Sequence, residues 1–365
     1  MRFALTDEQS DLRASVRGAL DRTAGFDVVR EWLESGDRRA ASDLCVSQGW
    51  TGVGVPDELG GEGGGPVELT IVVEEIARAA LPGALLCHTG LAMPLVVAAT
   101  DRAADSPAAA LLAGDRLATV LVDASDIPAA QPLEIGGGGS GDRRVTGMVA
   151  HVLGAPEVDF ALIPVAGGRG EGEGLFAVSL DDPGVTLDEF AASDLSRRLA
   201  SVVLDGVPAV RIGDLPESAV TDLANRAAVL IAADSLGVAA KMLEMTVDYV
   251  RDREQFGAPI GSFQAVKHEA AEMLVDVESS RSAAYFAAWS LAAAQPDASS
   301  HAAAAKFVCA EAASRTADRA LALHGAIGFT WEHDLHFLYK RAKANLALFG
   351  APARYREAVA AGLLG

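Results

Sequence analysis

The spacing of apolar residues changes twice along this 365-residue chain, and the two changes constrain its fold more than any other feature. In residues 1–112 the spacing is helical: Leu12, Val16 and Leu20 lie four apart, and the run from Leu69 to Ala80 repeats the pattern. Pro56, the glycines at 60, 61 and 63–65, and Pro66 mark a loop between these runs. Around Leu117 the pattern becomes short β-rich runs, LATVLVD, RRVTGMVAHVL, FALIPVA, LFAVSL and ASVVLDGVPAV, separated by glycine-rich turns. From Glu217 helical spacing returns nearly to the C-terminus, with breaks at Gly257–Gly261, Pro296 and Gly325–Gly328. Separate blocks of helices, strands and helices exclude the alternating order of a doubly wound parallel sheet. They predict an α+β multi-domain chain: an N-terminal helical domain over 1–112, a β-barrel or sandwich domain over 113–215, and a helical bundle over 216–365.

Charge and cysteine content narrow the function. A net charge of −20 argues against a nucleic-acid partner, because phosphate backbones need basic surface, yet it leaves room for a phosphorylated cofactor held by local cations. Cys45, Cys87 and Cys309 form no CxxC pair, so neither a disulfide framework nor a metal site is expected. Asp7, Glu8 and Asp11 are unlike an export signal. The longest apolar stretch, near 83–99, is interrupted by His88 and Pro94 and falls short of a membrane span. A soluble cytoplasmic protein with no membrane partner is the expectation. GGGGSG at 136–141 and GGRGEGEG at 167–174 lack a strand-to-helix GxGxxG frame and are expected to be turns of the β domain.

The most telling stretch for function is YVRDREQFGAPIGSFQAVKHEAAEM at 249–273. Leu236, Ala240, Leu243, Val247 and Val250 predict a helix ending at or just before Arg253. Gly257, Pro259 and Gly261 break the chain, and Phe263, Val266, Ala270, Met273 and Val277 start a second helix. An arginine at such a turn has the planar fork that matches two phosphate oxygens. Phe256 beside it is suited to pack on a base or sugar. Spacing alone favours the plainer reading, in which Arg253 is a solvated helix-end cation and Phe256 a core plug.

Three segments together resemble the acyl-CoA dehydrogenase flavoprotein family: the RxQFGxPIGxFQAVKHxxAEM run, LHGAIGFTWEHDLHFLYKRAKANLALFG at 323–350, and PDELGGEGGG at 56–65. They lie in the family's order and spacing over essentially the whole chain. The resemblance implies a helical domain, a β domain and a C-terminal four-helix bundle, with FAD lying across a subunit interface. Arg253 matches the arginine that reaches the neighbouring subunit's pyrophosphate, Phe256 the aromatic near its adenosine, and Gln264 the glutamine beside it. Gly325 matches a glycine whose backbone passes close to that cofactor.

Other positions depart from the family. Ala322 and Ala326 stand where a glutamine and a second glycine are common. VLVDASDIP replaces a TEP-type strand, and His151 and Leu153 align with a tryptophan and threonine that pack on the flavin ring. The family's reaction removes an α-proton next to a thioester while the β-hydride goes to flavin, so a carboxylate must reach the α-carbon. The family's two glutamate positions align with Phe349 and Ala227, neither of which accepts a proton. Asp234, two helical turns past Ala227, and Asp222 and Glu332 are weaker substitutes. His324, His333 and His336 are expected to pack rather than bind metal.

The resemblance therefore implies oxidation of an acyl-CoA to its 2-enoyl-CoA, with electrons passed to an electron-transferring flavoprotein. Losses fall on both bases and on contacts to this subunit's own flavin, while most contacts to a neighbour's flavin remain. That sorting favours the glutamate-less subunit of an α2β2 enzyme, like the paired dehydrogenases of actinobacterial sterol side-chain degradation. A homotetramer with a non-standard base, a flavin-free scaffold of the same fold, and a related flavin oxidase are the alternatives. Ala227 and Ala228 also replace polar groups that many members direct at substrate.

Overall fold

The computed structural model describes residues 5–37, 39–127, 133–136, 143–165 and 173–364. Most of GGGGSG and GGRGEGEG lies outside the described residues. The chain divides into two compact units, one of Met1–Leu33, Thr70–Leu81 and Ala228–Gly365, the other of Glu34–Leu69 and Pro82–Ala227.

Helices α1 (Asp7–Thr23), α2 (Phe26–Ser35), α3 (Ala40–Ser47) and α4 (Pro66–Arg78) come first. Thr6 and Gln9 cap α1 reciprocally: each side chain accepts the other's backbone N–H, at 3.2 and 3.1 Å. Pro66 begins α4, where a missing N–H costs nothing. A buried π-helical segment, Leu86–Ala92, leads into α5 (Met93–Ala98), followed by α6 (Ala108–Leu112).

The strands are β1 (Ala118–Val120), β2 (Leu133–Gly136), β3 (Arg144–Leu153), β4 (Phe160–Val165), β5 (Gly174–Ser179), β6 (Val185–Glu189), β7 (Leu199–Pro208) and β8 (Val210–Gly213). They form two sheets, in the orders β1-β4-β5-β8 and β2-β3-β7-β6. Only the β1–β4 pairing is parallel among these neighbours. Val145, Val149, Val202 and Leu204 of one sheet share a core with Ala161, Ile163, Phe176 and Val178 of the other, which makes a sandwich. The five β-rich runs of the sequence become eight strands for two reasons. Edge strands β2 and β6 alternate half-buried with exposed residues and so carry no continuous apolar run. The run ASVVLDGVPAV is not one strand: β7 ends at Pro208, and after Ala209 the chain enters the other sheet as β8.

The C-terminal helices are α7 (Ala219–Asp252), α8 (Gln264–Ala292), α9 (Ala298–His324), α10 (Leu335–Ala347) and α11 (Pro352–Leu364). Helix α9 packs against α8, α10 and α11, and buries Ala302, Ala305, Ala310, Ala313, Ala317 and Ala320. These small side chains let neighbouring helices approach closely. At Gly237 of α7 the approach is closer still, since an added Cβ would stand 2.1 Å from the Glu74 carbonyl oxygen of α4. Between α7 and α8 the expected plain turn is a miniature hairpin, β9 (Glu254–Gln255) paired with β10 (Ala258–Pro259), followed by the 3-10 turn Ile260–Ser262. Among the described residues no helix is long and apolar enough to cross a membrane.

Candidate functional site

Arg253 is the first residue beyond α7. Its N–H donates to the Tyr249 carbonyl at 2.9 Å, and its own carbonyl accepts from the Ile260 N–H at 2.7 Å, which anchors the hairpin to the helix end. The two-residue loop is Phe256–Gly257, with φ values of 55° and 78°. Such a loop needs two left-handed residues and ordinarily takes Asn-Gly. A phenylalanine there is strained, and this one is 95 % exposed, touching Phe263 edge-on at 6.2 Å between ring centroids. Gln264, the first residue of α8, is exposed, as is Arg253. Among the described residues neither side chain makes a hydrogen bond or ion pair. Arg253, Phe256 and Gln264 are thus all exposed in the segment that links α7 to α8, Arg253 just past α7, Phe256 at the hairpin tip and Gln264 at the start of α8.

Gly325 follows α9 with φ 64° and ψ −140°, a conformation that glycine alone adopts readily. Nothing lies within 4 Å of the place a Cβ would take, so backbone geometry rather than space reserves the position for glycine. Ala322 and Ala326 are exposed beside it. The Tyr249 ring stacks on His324 at 4.4 Å, and the Tyr249 hydroxyl donates to the His324 carbonyl at 3.3 Å. Sequence reasoning had no sign of this link between the ends of α7 and α9.

His324 Nδ1 lies 2.8 Å from the Ala320 carbonyl, while its buried Nε2 has no hydrogen-bond partner among the described residues. Burial holds its pKa below the usual histidine value. His333 meets His324 edge-on, and Trp331 stacks on His336. Among the described residues no cluster of metal-ligating side chains occurs.

Both glutamate positions of the family are apolar and fully buried. Phe349 has φ 59° and its carbonyl accepts from the Tyr355 hydroxyl at 2.6 Å; Ala227 lies inside α7. Asp234 fails as a substitute for a physical reason: it is fully buried and its carboxylate is already occupied. Arg341 donates to it through Nε at 3.0 Å and Nη2 at 2.5 Å, and Asn345 Nδ2 donates at 2.8 Å. Asp222 is exposed and accepts from the Ser218 hydroxyl at 2.8 Å. Glu332 is exposed, and its carboxyl sits below the usual range because its own backbone N–H and Thr330 bond to it.

In the β-sandwich unit two departures from the family pattern meet. His151 Nδ1 lies 3.1 Å from Asp123 Oδ1, and the Ser125 N–H and hydroxyl donate to that same oxygen at 2.8 and 2.6 Å. Phe190 stacks on His151 at 5.1 Å. Burial pushes the Asp123 carboxyl up, but the Ser125 bonds and His151 outweigh it and hold the pKa below the usual range. The Asp-x-Ser turn is visible in sequence; its histidine partner, on β3, is not. Toward a dinucleotide, Arg253 offers an exposed cation and Phe256 an open ring, which are the groups a diphosphate and an adenine require. Asp123, His151 and Leu153 do not reproduce a tryptophan and threonine bed for a flavin ring.

The sequence matches the profile of the acyl-CoA dehydrogenase N-terminal domain over residues 6–114 and that of the acyl-CoA dehydrogenase C-terminal domain over residues 218–364. The chain belongs to the acyl-CoA dehydrogenase family. Members of this family are flavoprotein oxidoreductases acting on CH–CH bonds. The chain is 30 % identical over 352 residues to the acyl-CoA dehydrogenase IpdE2 of Mycolicibacterium smegmatis, covering 95 % of this chain and 96 % of that one. The ChsE4-ChsE5 complex from Mycobacterium tuberculosis has a chain that superposes with a TM-score of 0.86 at 28 % identity, over 100 % of this chain and 99 % of that one. A chain of a variant of the Tcur3481-Tcur3483 steroid ACAD gives 0.84 at 25 % identity, over 98 % and 99 %. The acyl-CoA dehydrogenase fold, with N-terminal helices, a middle sheet domain and C-terminal helices, is the one the three sequence motifs imply.

Proposed function

We propose that this chain is the glutamate-less subunit of a heteromeric acyl-CoA dehydrogenase, and that it lends Arg253, Phe256, Gln264 and Gly325 to an FAD whose flavin ring lies in a partner subunit. The observation that carries this reading is Phe256. A strained aromatic that is almost wholly exposed in the single chain costs stability, and is retained most simply because something outside the chain covers it. Arg253, exposed three residues before it, supplies the charge a pyrophosphate needs.

Phe349 and Ala227 leave no proton acceptor at either family position, so the carboxylate that takes the α-proton belongs to the partner. An FAD bound across the interface would supply the acceptor for the hydride from the acyl-CoA β-carbon. This chain's residues hold the dinucleotide end and exclude water around it. Asp123 and His151 satisfy one another where a ring bed would be, which supports a chain that does not hold the isoalloxazine itself. Support for pairing comes from the names of two structural relatives, the ChsE4-ChsE5 complex and the Tcur3481-Tcur3483 steroid ACAD. A steroid-derived or fatty acyl-CoA substrate, an electron-transferring flavoprotein as acceptor and a cytoplasmic location belong to the same proposal.

The test is co-expression with a glutamate-bearing paralogue, measuring flavin per assembly. Two FAD per α2β2 tetramer, with colourless protein when this chain is made alone, is the expected result. One FAD per chain from this polypeptide by itself would overturn the proposal in favour of a homotetramer.

A further inference from the structure

We propose that Tyr249 and His324 form a clamp that fixes the Arg253 hairpin against the Gly325 turn, so that two separate arms meet one dinucleotide at a set spacing. This rests on the FAD-contact reading above and assigns its positioning residues. The two arms leave the ends of different helices, α7 and α9, and both are exposed. The Arg253 N–H closes the last helical backbone bond of α7 on the Tyr249 carbonyl at 2.9 Å, a bond any residue at 249 would make, so what is specific to Tyr249 is its side chain, one turn before the arginine. Its hydroxyl donates at 3.3 Å to the carbonyl of His324.

That carbonyl belongs to the peptide unit between His324 and Gly325, the unit whose orientation the left-handed glycine defines. The bond therefore holds the first peptide plane of the glycine turn. Stacking at 4.4 Å adds the apolar half of the contact. His324 is itself held in place: Nδ1 faces the Ala320 carbonyl, and Nε2 is enclosed without a partner among the described residues. Burial, with His333 beside it, lowers the pKa of the ring and so disfavours a charge at the stack.

The test uses the full chain alone and the co-expressed complex, with Tyr249→Phe, Tyr249→Leu and Arg253→Ala. In the isolated chain, amide exchange over residues 325–331 is expected to rise about threefold to tenfold in Tyr249→Phe, the effect of one lost hydrogen bond, and further in Tyr249→Leu. Exchange in the buried core of α9 stays as in the wild type. In the complex, FAD dissociates faster by a similar factor in both tyrosine variants, while Tm shifts little in Tyr249→Phe. Unchanged exchange at 325–331 in a folded Tyr249→Leu chain would overturn the clamp. So would a rise spread evenly over the helices, or FAD retention untouched in Tyr249→Leu when Arg253→Ala releases the cofactor. FAD retention unaffected by Arg253→Ala would instead remove the cofactor-contact reading, and with it the purpose assigned to the clamp.

Discussion

Asp234 and Arg341 lie 107 residues apart and meet as a fully buried ion pair. Arg341 uses Nε and Nη2 on the carboxylate and turns Nη1 to the Leu81 carbonyl at 2.8 Å. One guanidinium thus ties α7 and α10 to the residue that ends the Thr70–Leu81 segment. Asn345, one helical turn beyond Arg341, donates to the same carboxylate at 2.8 Å.

Removing one partner of such a pair leaves the other charged and dry. Arg341→Met is expected to cost about 3–5 kcal/mol, and Asp234→Leu with Arg341→Met to recover most of it, because two apolar groups leave no orphan charge. Denaturant unfolding of the two single variants and the double variant measures the coupling. A single variant that unfolds within about 1 kcal/mol of wild type would mean the pair is solvated in solution.

Two glycines in helices should respond oppositely to alanine. At Gly18 in α1 a Cβ meets only the end of the flexible Arg22 side chain, at 3.3 Å, so helix propensity should prevail and Gly18→Ala should gain about 0.5–1 kcal/mol. At Gly237 the Cβ would strike the Glu74 carbonyl at 2.1 Å and the Ala77 Cβ at 2.9 Å, both fixed parts of α4. Gly237→Ala should lose about 1–3 kcal/mol or more as the helices are forced apart. Thermal melts of the two variants give the sign directly.

Acid should destabilise the protein through His88. It is fully buried, its Nδ1 accepts the Ala118 N–H at 3.1 Å, and burial pushes its pKa down to about 4, with Asp159 opposing weakly. The unfolded chain binds this proton near pH 6.5 and the folded chain does not. Stability from the neutral ring is therefore complete above pH 6.5 and is lost as pH falls to about 4, amounting to about 3 kcal/mol at the low end. His88→Asn keeps an acceptor for Ala118 without the titration. Its stability should fall less steeply across that window, although His336, also pushed down to about 4 by burial, remains. Parallel slopes for variant and wild type would show that His88 is not buried neutral.

What the sequence made legible was local. Helical spacing and strand runs gave the helix, sheet and helix blocks, because period is set by neighbours a few residues apart. Gly257 and Pro259 marked the break after Arg253 for the same reason. What stayed hidden depends on partners distant in sequence. Asp234 reads as a candidate base until Arg341 is seen against it, and His151 reads as a lost tryptophan until Asp123 is seen beside it. The left-handed turn that projects Phe256 was also invisible, since a Phe-Gly pair is not the usual occupant of such a loop.

Lys306 supplies a test at the other end of the pH scale. It is fully buried in α9, its Nζ donates to the Asn345 carbonyl at 2.7 Å, and burial lowers its pKa to about 7. An unfolded lysine stays protonated up to about pH 10.4. Between pH 7 and the ordinary lysine value the unfolded chain thus holds the extra proton, and stability from this residue rises with pH by up to about 1.4 kcal/mol per unit. The clean window is pH 7 to about 8.5, because above it the unfolded thiols begin to ionise, and Cys45, Cys87 and Cys309, pushed up to about 12 by burial, work in the opposite direction. Lys306→Met has no ammonium to discharge, so its unfolding free energy should stay flat across that window where the wild type climbs. If both climb alike in urea titrations at about pH 7 and about pH 8.5, the Lys306 amine is charged in the folded chain and water reaches it.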